Sequence, residues 1–97
     1  MPHLDAKQIK HHLPEIPAWT KRGQVISRTF KFAGFPEGIK FVGLVARQAE
    51  KLNHHPDINI RYDQVTLALT THDAGGLTET DFILARQADE AFNKVSG

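Results

Sequence analysis

The hydrophobic pattern of this chain switches from helical to alternating spacing across four residues, Asn53-His54-His55-Pro56. Before the switch, Val42, Val45, Ala49 and Leu52 recur at steps of three and four, which predicts a helix over about residues 36–52 with one apolar stripe. Pro56 disfavours helical geometry in His55, so the helix must end there. Beyond it Ile58, Ile60 and Tyr62 alternate with Asn59 and Arg61, as in a strand. Asp63-Gln64 is the expected tight turn into a second strand, Val65 to Thr71. There Val65, Leu67 and Leu69 face one way while Thr66, Ala68, Thr70 and His72 face the other.

The remaining segments fit around that unit. Asp5 to His12 is expected to form a short helix capped by Asp5 and stopped before Leu13-Pro14. From Trp19 the chain looks extended, and Gln24 to Phe32 places Ile26, Phe30 and Phe32 on one face with Arg28 as a polar intruder. Gly34-Phe35-Pro36 breaks this strand. Gly75-Gly76 marks a loop, Thr78 and Asp81 have capping-box spacing, and Phe82, Ala85, Ala88, Phe92 and Val95 form a final helical stripe. The order is helix, strand, strand, helix, strand, strand, helix. Hairpins dominate, which predicts an α+β two-layer sandwich: a four-stranded antiparallel sheet with three helices on one face. A chain of 97 residues has room for one core, so residues 1–97 are expected to be a single domain.

Composition narrows the chemistry. Twelve basic and 11 acidic residues give a net charge of +1 and no basic stripe, which argues against direct nucleic-acid binding. The absence of cysteine excludes disulfides, thiolate metal sites and cysteine nucleophiles. No apolar stretch approaches the roughly 20 residues needed to span a bilayer, and the N-terminus lacks a signal-like run. A cytoplasmic location is the simplest expectation.

Six histidines remain as the candidate chemistry. His3 and the pair His11-His12 lie in a polar terminal segment and are expected to be solvated. His54 and His55 sit at the helix-to-strand corner. With the turn at Asp63-Gln64, antiparallel pairing brings His72 opposite about position 55. Three imidazoles at one place suit proton transfer near neutral pH, because an unperturbed pKa of about 6.5 lets each donate or accept. A zinc site is the rival reading, but adjacent histidines suit one metal poorly and no further ligand spacing completes a set. Glu50 and Asp81 carry carboxylates that can orient an imidazole or bind a ligand. Each also has a simpler role, Glu50 as an exposed helix charge and Asp81 as a cap. Gly75-Gly76 lacks the strand, spacing and lysine of a phosphate loop.

Glu50-Lys51-Leu52-Asn53-His54-His55-Pro56, Tyr62, Thr70-Thr71-His72, Gly76-Leu77-Thr78 and Asp81 resemble, in order and spacing, the signature of the pterin-4a-carbinolamine dehydratases. The likeness extends from about Leu13 to Val95 and includes Trp19, Phe35 and Phe41. The resemblance implies the same sandwich fold and the dehydration of 4a-hydroxytetrahydropterin to quinonoid dihydropterin. That reaction recycles the pterin of aromatic amino acid hydroxylases without a metal or organic cofactor. It further implies that His54 and His72 act as the acid–base pair and that His55 orients the pterin. Pro56, Thr71, Asp73 and Ala74 would line the site, and the protein would be a homo-dimer or homo-tetramer. The segment Asp57 to Arg61 is one residue shorter than in some members and lacks their aromatic, and Thr80 replaces a basic residue of others, which bears on the side chain of the pterin. Animal members also serve as partners of a homeodomain transcription factor; no residue here argues for that role.

Overall fold

The structure, a computed structural model, describes residues 2–96. Helix α1 (Ala6–His12) leads through a 3₁₀ turn (Leu13–Glu15) into β1 (Thr20–Arg22) and β2 (Val25–Lys31). Then follow α2 (Phe35–Leu52), β3 (Asp57–Arg61), β4 (Gln64–Leu69), a second 3₁₀ turn (His72–Ala74) and α3 (Glu79–Ser96). The strands form one antiparallel sheet in the order β1-β2-β4-β3. This is the α+β architecture expected from the hairpin–helix order.

Alternation decides which face of the sheet is covered. Ile26 and Phe30 of β2 and Val65, Leu67 and Leu69 of β4 are buried against Phe41, Val45 and Ala49 of α2 and Phe82, Ala85 and Ala88 of α3. The opposite face is polar, and there Thr29 and Thr66 share a hydrogen bond of 2.8 Å. The stripe of α2 is centred on Gly38, Phe41, Val45 and Ala49, with Val42 and Leu52 only half-buried at its flanks. Phe30 and Phe41 pack with centroids 4.6 Å apart, and Phe92 joins them from α3 at 5.3 Å from Phe30. Truncating an aromatic in such a cluster typically costs about 3–5 kcal/mol.

Arg28 shares the core side of β2 because its charge is met there. Its guanidinium lies 4.4 Å from the Phe30 centroid and 5.0 Å from that of Phe92, and it donates to Asp89 Oδ1 at 2.7 Å. The same oxygen accepts from Trp19 Nε1 at 2.8 Å, tying the start of the sheet to α3.

Two local expectations hold and two need correction. The extended stretch after Trp19 is two strands, as the expected element order has it, with a turn at Gly23 between β1 and β2. The first helix ends at His12, before Leu13-Pro14 as expected, and a separate 3₁₀ turn follows it. Leu13 is itself right-handed helical, and Pro14 falls in the first turn of the 3₁₀ segment, where its missing N–H costs nothing. His12 is not solvated: its ring stacks on Phe82 at 5.1 Å, and its nitrogens lie 3.0 Å from Glu15 and 3.7 Å from Glu79. The β3–β4 turn is Tyr62-Asp63, one residue early, with Tyr62 in the left-handed region at φ 53°. Asp63 is held in that turn by Lys31 at 2.5 Å and by Phe32 N, which donates to its carbonyl at 2.9 Å.

Candidate active site

Two loop structures build the site. The first is the end of α2. Asn53 is left-handed (φ 49°, ψ 45°), Asn53 N donates to Glu50 O at 3.2 Å, and His54 N donates to Ala49 O at 3.0 Å. Those two bonds form a Schellman closure, which satisfies the last carbonyls and turns the chain sharply. An asparagine tolerates the left-handed conformation that closure needs. The corner aims His54 inward, to 14 % side-chain exposure, while His55 stays exposed.

The second is the loop between β4 and α3. Thr71 and Gly76 exchange backbone bonds of 3.3 Å, pinching residues 71–76 into a closed turn. Inside it His72, Asp73 and Ala74 form one 3₁₀ turn that Gly75 ends at φ 75°, a left-handed position that suits glycine. β4 thus stops at Leu69, and His72 lies beyond the ladder. With Asp57 opposite Ala68, the register would set position 55 opposite Thr70, so His72 is not paired with His55 as the misplaced turn implied. The pinched loop, rather than strand pairing, brings His72 to the corner.

His54, His55 and His72 nonetheless line one hollow of about 250 Å³, together with Asn53, Thr70, Thr71 and Asp73. A second hollow of about 340 Å³ shares Asn53, His54, Thr71 and Asp73 with it and adds Leu52, Ala74, Thr78 and Thr80. Larger hollows of about 420 and 490 Å³ flank α1, but they lie away from this convergence of histidines and carboxylates. Pro56 is half-buried and lines neither site hollow. Asn53, Thr70, Thr78 and Thr80 line these hollows but were not assigned to the site from sequence, where they stood only in the signature, the capping box or, for Thr80, a departure from the family pattern. Asn53 had a signal, as the residue type that after glycine most often closes a helix in the left-handed conformation.

Each of the two carboxylates is hydrogen-bonded to a histidine. Asp81, in the first turn of α3, is 0 % exposed and accepts a 2.5 Å hydrogen bond from His54 Nε2. Its other oxygen accepts from Thr71 Oγ1 at 2.8 Å and from Thr78 N at 2.9 Å. The last of these is one half of the expected capping box; the Thr78 hydroxyl instead bonds Thr71 Oγ1 at 2.9 Å. Both oxygens of this buried carboxylate are thus hydrogen-bonded, by three donors in all. Its bond to Nε2 places the neutral imidazole's proton there and leaves Nδ1 as the basic nitrogen. Glu50 makes a matching but exposed bond, accepting from His55 Nε2 at 2.5 Å. His72 is exposed and, among the described residues, has no side-chain hydrogen-bond partner. No group of three or more His, Cys, Asp or Glu among the described residues is disposed to hold a metal ion.

An α+β sandwich with a carboxylate-oriented histidine at the end of its sheet is a scaffold for acid–base chemistry on a small molecule. Comparison with known proteins makes the class specific. The sequence profile of the family "Pterin 4 alpha carbinolamine dehydratase" matches residues 2–91, and the chain belongs to that family of hydro-lyases. A protein of Chloroflexus aurantiacus named "Putative pterin-4-alpha-carbinolamine dehydratase" is 54 % identical over 90 residues, covering 93 % of this chain and 97 % of that one. One of the same name from Roseiflexus sp. is 52 % identical over 87 residues, covering 90 % and 94 %. A Brucella melitensis crystal structure described as a transcriptional coactivator/pterin dehydratase superposes with a TM-score of 0.86 at 33 % identity, covering 98 % of this chain and 99 % of that one.

Proposed function

We propose that this protein, acting as a single catalytic domain, dehydrates 4a-hydroxytetrahydropterin to quinonoid dihydropterin by histidine acid–base catalysis. The C4a–O bond breaks as the hydroxyl takes a proton and leaves as water, the N5 proton passes to a base, and a C4a–N5 double bond forms. One acid and one base must therefore flank the ring. His54 and His72 fill these roles. Asp81 fixes His54 so that one ring nitrogen is free to exchange a proton, and His55 with Glu50, Thr71, Asp73, Ala74 and Pro56 holds the pterin. The observation that carries this reading is the 2.5 Å bond from His54 to a fully buried carboxylate beside the hollow that His72 also lines.

The decisive assay is dehydration of synthetic 4a-hydroxytetrahydropterin by purified protein, followed by absorbance. His54→Ala and His72→Ala are expected to lower kcat by about 10²-fold or more, the usual worth of a positioned acid or base. Full activity in the His72 variant would refute the pairing. The pathway role that goes with this chemistry is return of the pterin released by an aromatic amino acid hydroxylase, in the cytoplasm. We also propose self-association as a homo-dimer or homo-tetramer. β3 is an edge strand exposed along its whole length, and Ile58, Ile60, Phe35 and Ile39 present uncovered apolar side chains. A monomeric mass by light scattering would rule that out.

A further inference from the structure

Thr71 has one hydroxyl proton, and the geometry assigns its destination. Asp81 Oδ2 is an acceptor 2.8 Å from Thr71 Oγ1, so Thr71 donates there. The Thr78 hydroxyl, 2.9 Å from Thr71 Oγ1, must then donate to Thr71. Thr78 is 1 % exposed and Asp81 fully buried, so water does not replace these bonds. The result is a one-way chain running from Thr78 through Thr71 to Asp81, and from His54 Nε2 to the other oxygen of the same carboxylate.

We infer that Thr71 and Thr78 are positioning residues that set the tautomer and proton affinity of His54 through Asp81. Each donor on Oδ2 withdraws negative charge from the carboxylate. Deleting one makes the potential at His54 more negative, favours the imidazolium, and raises the pH at which the ring loses its proton. Thr71, which lines the hollow proposed to hold the pterin, therefore also tunes the histidine. Other titratable groups near the ring are Asp73 and His72 on the loop, Glu50, Lys51 and His55 at the end of α2, and Glu79 at the start of α3. All are exposed, and among the described residues none bonds the His54 side chain. They remain in place when Thr71 is changed, so a shift isolates the hydroxyl.

This inference rests on the acid–base reading of His54, but its primary test does not need the substrate. Histidine ring ¹⁵N spectra of the ligand-free protein give the tautomer and titration midpoint of His54 directly. Thr71→Val, which removes the hydroxyl at nearly constant shape, is expected to move the midpoint upward by about half a pH unit or more, and Thr71→Ser to restore it. In turnover, Thr71→Val is expected to lower kcat by about three- to ten-fold and to displace the His54 limb of the pH–rate profile to higher pH, with Thr71→Ser restoring both. An unmoved midpoint in a Thr71→Val protein that melts normally overturns the relay. So does an equal loss of rate at every pH accompanied by a lowered Tm, which marks a structural role. If the parent protein fails to dehydrate the 4a-hydroxypterin, the proposed function falls, and the spectra still decide the relay.

Discussion

Replacing Asp81 by asparagine probes stability and chemistry through the same atoms. The carboxylate accepts three hydrogen bonds, from His54 Nε2, Thr71 Oγ1 and Thr78 N, at 2.5, 2.8 and 2.9 Å. Asparagine keeps one acceptor oxygen and turns the other position into a donor. If the oxygen stays on His54, the amide faces the Thr78 N–H, and two donors confront each other in a buried site. A buried donor left without a partner costs about 1–3 kcal/mol, and loss of the charge-assisted component adds to that, giving about 2–4 kcal/mol in all. For a domain of this size each kcal/mol moves Tm by about 4–8 °C, so a fall of about 8–32 °C is expected in a protein that still folds. If the amide turns instead, it donates toward His54 Nε2 and forces the ring proton onto Nδ1, removing the basic nitrogen. Either arrangement should lower kcat by about 10²–10³-fold, within the range of a lost acid–base group. Calorimetry and initial rates on the 4a-hydroxypterin measure both effects. A variant that melts within about 2 °C of the parent and turns over normally would show that Asp81 neither caps α3 nor orients His54.

Two further outcomes follow from features away from the site. Gly43 is an exposed position inside α2 where an added Cβ meets nothing within 4 Å, so Gly43→Ala should stabilise by about 0.5–1 kcal/mol, read as a higher denaturant midpoint. The Glu15 carboxyl is held below its ordinary 4.5, first by the hydrogen bond with His12, partly offset by burial, and then by the Arg86 charge. A lowered folded-state pKa contributes stability above 4.5 that is lost as pH falls through the folded value. Glu15→Gln should accordingly lower Tm slightly at neutral pH, leave it unchanged below the acid window, and so flatten the fall between the two.

Much of the fold was legible because period settles which face a residue occupies. Ile26, Phe30, Val65, Leu67 and Leu69 all point where alternation puts them, and the last helix buries Phe82, Ala85 and Ala88. Period does not settle register. The hairpin turn falls at Tyr62-Asp63 because Lys31 and Phe32, from another strand, hold Asp63, and nothing local to Asp63-Gln64 carries that information. His12 was misjudged for a related reason. Its segment is polar by composition, but α3 brings Phe82 and Glu79 against the ring. Arg28 shows the converse: an intruder by pattern, it is accommodated by Asp89 and two aromatic rings that only packing assembles.

The site itself divides along the same line. Its histidines could be read from residue type and from the proline that ends α2, yet the carboxylate each would select could not, since Asp81 lies 27 residues beyond His54. What joins them is a meeting of helix ends. The Schellman closure turns the C-terminus of α2 so that His54 points inward, and the first turn of α3 presents Asp81 from the positive end of its dipole. Burying a carboxylate is costly unless its oxygens are hydrogen-bonded, and here both have donors. The sandwich thereby keeps this carboxyl group out of solvent and in a fixed place beside the imidazole. The same requirement explains why Thr71 and Thr78, which bear no chemistry of their own, are placed around that carboxylate.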